Sequence, residues 1–151
     1  MNQNNYIMKK IKFILTIFIS LISLYSCSNT DKNNGCEECV YTVSSNETTG
    51  NVPAEIQGVH NLTLDFSQNG YTFSNGTKAT FTISANEMIV NIEGGTCITL
   101  KNPTVSSNQV EYTFKDNCRD NVSYAASISS NGGLNEINVI TLNGSFYGQF
   151  N

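Results

Sequence analysis

The chain has 151 residues, 13% of them charged, with a formal net charge of −4, one histidine and no tryptophan. That length suffices for one domain with one core. The acidic balance and the scarcity of lysine and arginine exclude a nucleic-acid surface, which needs clustered basic side chains against phosphate.

In chain order, Lys9, Lys10 and Lys12 form a positive start and Phe13 to Leu24 an apolar run broken only by Thr16, Ser20 and Ser23. The run is too short for a spanning helix, which needs about 20 apolar residues. It has instead the charge, length and order of an export signal. Met8, directly before the lysines, is placed to initiate translation, which would leave residues 1–7 untranslated.

Leu24-Tyr25-Ser26-Cys27 closes this stretch and resembles the lipobox of bacterial lipoproteins. The resemblance implies cleavage before Cys27, so that 1–26 is a signal peptide and Cys27 the lipidated first residue of the mature chain. It further implies a protein of the cell envelope, held at the outer membrane of a Gram-negative bacterium by lipid on Cys27. Two or three acyl chains on one residue give a stable anchor where one holds only marginally. Processing leaves five cations against twelve carboxylates, a net charge of −7. Residues 27–35 then read as a lipidated flexible tether, because Ser28 to Gly35 contains no apolar residue.

Residues 36–151 read as a single all-β domain. Val40–Val43 is the first strand expected. Leu62, Leu64 and Phe66 alternate with polar residues, Asn69-Gly70 supplies a hairpin turn, and Tyr71 and Phe73 are expected on the return strand before Asn75-Gly76. Ala79, Phe81 and Ile83, then Met88, Val90 and Ile92, then Ile98 and Leu100 repeat the period of two. Asn102-Pro103 ends that strand because proline cannot donate to a ladder. Val110, Tyr112 and Phe114 follow, then Tyr124, Ala126 and Ile128, then a long run from Leu134 to Phe150 whose apolar parity changes between Val139 and Ile140, where a bulge is expected.

Eight or nine strands joined by short links predict an antiparallel meander, since a parallel crossover needs a dozen or more residues. Its apolar face is hidden either by closing as a small barrel, the arrangement favoured here, or by folding as a β-sandwich. In size, strand count and the glycine-bearing final stretch Asn143 to Phe150, the mature part is similar to the small lipocalin-like lipoproteins of bacterial envelopes.

Cys36, Cys39, Cys97 and Cys118 remain after Cys27, an even number in an exported chain, and read as two disulfides with three connectivities open. Predicted strand adjacency favours Cys97 with Cys118 and Cys36 with Cys39, although Cys97 and Cys118 have opposed parity. A redox Cys-x-x-Cys wants a strand followed by a helix start, and a zinc site wants a second close pair; neither pattern is present.

His60 stands without a second histidine, and Asp116 and Asp120 flank Arg119 as salt-bridge partners, so no catalytic group, metal site or cofactor is expected. The expected role is therefore non-enzymatic. A closed barrel would be lined by Leu62, Leu64, Phe73, Phe81, Ile83, Val90, Ile92, Tyr112, Phe114 and Tyr124, and a void among them would take a small apolar ligand. If the same side chains fill the interior, the domain is instead a structural or interaction module docking an envelope protein.

Overall fold

The computed structural model describes residues 35–151, so the expected signal peptide, Cys27 and the expected tether lie outside the described residues, apart from Gly35. Ten strands follow one another: β1 Glu37–Val40, β2 Gly58–Ser67, β3 Lys78–Ile83, β4 Glu87–Ile92, β5 Ile98–Lys101, β6 Thr104–Val105, β7 Glu111–Asp116, β8 Val122–Ile128, β9 Leu134–Thr141 and β10 Phe146–Phe150. A 3-10 turn at Ala54–Ile56 precedes β2 and buries Ile56.

The strands form one sheet in the order β1-β5-β4-β3-β2-β10-β9-β8-β7-β6, antiparallel throughout except that β1 lies parallel to β5. Short links produce the hairpins, and the meander then closes. β2 pairs with β3 through Gly58–Thr63 and with β10 through its second half. On the far side β5 runs into β6 across Asn102 and Pro103 alone, and Asn102 takes φ 62°, a left-handed turn that asparagine tolerates better than most residues. These two bent segments carry the chain from one half of the sheet to the other, so the sheet curls into a small, flattened barrel.

The N-terminal segment fills the seam between β5 and β6. Its β1 adds to β5 in the register Glu37↔Ile98. Residues 48–50 then meet β6: Thr49 bridges Thr104, the Val105 N–H donates to the Thr48 carbonyl at 2.9 Å, and the Gly50 N–H donates to the Pro103 carbonyl at 2.6 Å. One short stretch thus satisfies backbone groups on both sheet edges, which would otherwise invite pairing with another chain.

Period-two alternation places Ala79, Phe81 and Ile83, Met88, Val90 and Ile92, and Tyr112 and Phe114 inward, all buried. The two halves of the sheet meet through rings: Phe81 lies edge-on to Phe150 at 5.2 Å between centroids and 6.1 Å from Tyr124. Each fully buried large side chain contributes about 1.5–3 kcal/mol.

Several local expectations are corrected. The first strand is Glu37–Val40 and not Val40–Val43, because β5 offers a free edge there. Tyr71 and Phe73 form no return strand; β2 pairs directly with β3, and residues 68–77 make a loop whose Tyr71 and Phe73 rings fold against the core. Phe66 does not share the buried face of Leu64. Phe150 opposes Leu64 while Gln149 opposes Phe66, so one extra residue bulges at Asp65 and turns Phe66 outward. The parity change near Val139–Ile140 is no bulge: Val139 is buried and Ile140 points away from the core, while the irregularity falls at Tyr147, between Phe146↔Ile140 and Gly148↔Val139.

Both bulges meet at Gly148. A Cβ there would lie 2.9 Å from the Phe66 carbonyl oxygen and 3.1 Å from Leu64 Cδ1. Gly148→Ala is expected to lower stability by about 1–3 kcal/mol, since a paired backbone oxygen cannot move aside. Urea unfolding checks this, and an unchanged midpoint would refute the packing account.

Candidate functional site

The cysteines form two bridges, Cys36–Cys97 and Cys39–Cys118, with Cα–Cα distances of 4.8 and 5.9 Å. The favoured pairing of Cys97 with Cys118 and Cys36 with Cys39 is thereby corrected. In an extended strand, residues three apart lie roughly 10 Å from each other and point to opposite faces, so Cys36 and Cys39 cannot join. The register Glu37↔Ile98 sets Cys36 beside Cys97, and Cys39 turns inward, fully buried, to reach Cys118 across the seam. Both sulfurs near Asp116 are therefore spent on a disulfide.

Asp116 ends β7 with a fully buried carboxylate that organises the turn carrying Cys118. Its Oδ1 accepts the backbone N–H groups of Cys118 at 3.1 Å and Arg119 at 2.9 Å. Arg119 pairs with Asp120 at 3.2 Å, as expected from their spacing, lies 4.0 Å from Asp116, and donates through Nη1 to the Thr96 carbonyl and hydroxyl at 3.1 and 2.6 Å. The β7–β8 turn is thus held to the β4–β5 loop by one side chain. His60, half-buried in β2, has Nε2 2.9 Å from the Ile56 carbonyl and serves the local backbone.

A second device latches the N-terminal segment down. Lys115, on the outer face of β7, pairs with Glu47, sits 3.1 Å from the Tyr41 hydroxyl and lies 4.6 Å from the centre of the Tyr41 ring. Tyr41 in turn donates to Glu47 at 2.7 Å. Lys115, Tyr41 and the Ser44 N–H together hold the Glu47 carboxyl down at a pKa of about 2. Burial works against the charge on Lys115, but Glu47 and Tyr41 more than offset it and keep its pKa above the ordinary value.

Because the Glu47 pKa is lower folded than unfolded, its contribution is present above the unfolded carboxylate range and disappears as pH falls toward 2. Partial solvent access limits it to roughly 1 kcal/mol. Acid unfolding of Glu47→Gln is expected to show less dependence on pH between about 4.5 and 2 than the parent; parallel curves would show that the latch carries no stability.

At the barrel end where β4 finishes and β8 begins lies a cleft of about 190 Å³. Val90, Ile92 and Tyr124 form its floor, Phe73 and Gly95 its wall, and Thr96, Arg119 and Asp120 its rim. The Phe73 ring packs so closely on Gly95 that a Cβ there would come within 3.1 Å of it. Beside the cleft the Tyr71 ring contacts Phe73 and Tyr147, and its buried hydroxyl makes no hydrogen bond of ordinary geometry. Burial pushes the pKa of both Tyr71 and Tyr124 up, so both phenols stay protonated at neutral pH.

All ten residues expected to line an interior are brought together. Leu64, Phe81, Ile83, Val90, Ile92, Tyr112, Phe114 and Tyr124 are buried in one cluster, with Leu62 and Phe73 packed against it. Only Phe73, Val90, Ile92 and Tyr124 also border the cleft, whose volume is below the several hundred Å³ of a drug-sized site. Cys27 lies outside the described residues. The Tyr41–Glu47–Lys115 latch and the Arg119–Thr96 clamp escaped the reading of the chain, because their partners are up to 74 residues apart and polar residues in polar stretches carry no periodic signal.

Among the described residues, no helix is long and apolar enough to cross a membrane. Comparison with protein-family models, with curated proteins and with solved structures finds no match to this chain.

Proposed function

We propose that this chain is a lipid-anchored protein of a bacterial cell envelope, cleaved before Cys27, whose barrel works as a rigid interaction module and not as a carrier or an enzyme. The observation that carries the second half is the packing of Phe81, Phe114, Tyr124 and Phe150, each at most 1% exposed, where a ligand would otherwise sit. Two disulfides and a latched seam stiffen the module further, which suits a surface that must keep its shape beside a membrane. The first half is supported by the order of charge, apolar run, small residue and cysteine at 9–27.

Binding of a small ligand is the second reading, and the cleft beneath Phe73 favours it, with apolar floor, polar rim and a buried phenol beside it. Its volume suits only a handful of heavy atoms. Mass spectrometry of the mature N-terminal peptide tests the anchor, with an acylated Cys27 expected. Native mass spectrometry of protein extracted from envelopes tests the module: the bare polypeptide mass plus lipid is expected, and a stoichiometric extra small molecule would decide for the ligand reading.

A further inference from the structure

The chain enters the barrel at one of its two ends. Cys36 stands directly before β1, whose first residue pairs with the first residue of β5. The same end holds the close of β2, β4, β7 and β9 and the start of β3, β8 and β10, with the loops 68–77, 93–97, 117–121 and 142–145.

Partly buried rings and one exposed ring gather there. Eleven aromatic residues are described, and of the six that are not fully buried, five stand at this end: Phe66, Tyr71, Phe73, Phe146 and Tyr147. Phe66, 46% exposed, stacks on Phe146 with ring centres 5.7 Å apart, and Leu142, 42% exposed, lies in the adjoining β9–β10 turn. The exposed apolar side chains toward the other end are valines: Val40, Val59 and Val110. Charge does not separate the ends: Lys78, Lys115 and Arg119 lie toward the entry end together with Glu37, Asp65, Glu93, Asp116 and Asp120, and the opposite end carries Glu55, Glu87, Glu111 and Glu136 with Lys101.

We propose that this entry end docks on the surface of the lipid bilayer, with Phe66, Phe146 and Leu142 entering its interface. The proposal rests on the lipid anchor at Cys27 and deepens that reading. Nine backbone steps separate Cys27 from Cys36. They reach at most about 32 Å, against a folded domain roughly 35 Å across. A tether shorter than the domain keeps its attachment end against the bilayer. Aromatic rings partition to the headgroup level, the depth that the stacked Phe66 and Phe146 rings would reach from this end.

Because the chain has no tryptophan, one introduced residue reports alone. The full chain, produced and processed in a bacterial host, is reconstituted in vesicles of phosphatidylethanolamine and phosphatidylglycerol with brominated acyl chains. Leu142→Trp, in an exposed turn, and Phe66→Trp are expected to lose fluorescence by at least about twofold, and Val110→Trp at the opposite end to stay unchanged. No quenching at residue 142, or equal quenching at 142 and 110, overturns the proposal. So does a blue shift of the residue 142 reporter seen only when envelope proteins are added, which would assign the surface to a protein partner. The mass of the N-terminal peptide separates the two failures: an acylated Cys27 with an unquenched reporter sinks docking alone, and an unacylated Cys27 sinks both readings.

Discussion

Replacing Cys39 and Cys118 together by alanine will lower the stability of the folded domain by about 4 kcal/mol, a large share of the roughly 5–15 kcal/mol that holds a domain folded. The bridge closes a separation of 79 residues, and restricting so long a loop removes much of the freedom of the unfolded chain. It also crosses the seam, tying β1 on one edge to the turn after β7 on the other. Without it, β1 is held by a four-residue parallel ladder and by Cys36–Cys97. Since that second bridge encloses many of the same residues, the two effects will not add, and removing both is expected to cost less than the sum. Denaturant unfolding of the two double variants and of the quadruple one measures this. A loss under about 1 kcal/mol for Cys39 and Cys118 would show that the unfolded chain is already compact.

Phe81→Ala is expected to cost about 3–5 kcal/mol, because the ring sits at the centre of the interior, between Phe150 from β10 and Tyr124 from β8, and neither half of the sheet can collapse across the gap. The same variant tests the functional reading. An apolar cavity stays dry and takes up small apolar molecules, so benzene should raise the melting temperature of Phe81→Ala by binding only its folded form. The parent, with its core filled, should not respond. An equal rise in the parent would mean that the barrel already offers room for a ligand, and the interaction-module proposal would have to give way to the carrier.

Much of this architecture is local and therefore readable. A strand with one wet face and one dry face must alternate, and Ala79-Thr80-Phe81-Thr82-Ile83 does so; its three apolar residues are all buried. Short links between such runs leave antiparallel neighbours as the only connection, so the meander follows from spacing, while a barrel and a sandwich hide its apolar face equally well at that level. Nine of the ten residues expected inside are legible for the same reason; Phe73 reaches the core from a loop instead.

The departures share one cause, the position of a partner far away in the chain. Phe66 has the parity of Leu64 yet faces water, because β10 bulges the strand at Asp65. Tyr71 and Phe73 have the look of a strand but find the barrel end open and fold over it. Cysteine pairing depends on a parallel β1–β5 register that spacing alone disfavours, since an N-terminal segment returning to an edge strand has no local signature.

Local pattern therefore decides the class of fold, the inward-facing set, the even cysteine count and the lipobox-like start, because each depends on neighbours within a few residues. Tertiary contact alone decides which sulfurs join, where bulges redirect a ring, how the seam is latched and at which end β1 begins. Those are outcomes of contact between segments 61 or more residues apart, and no period along the chain encodes them.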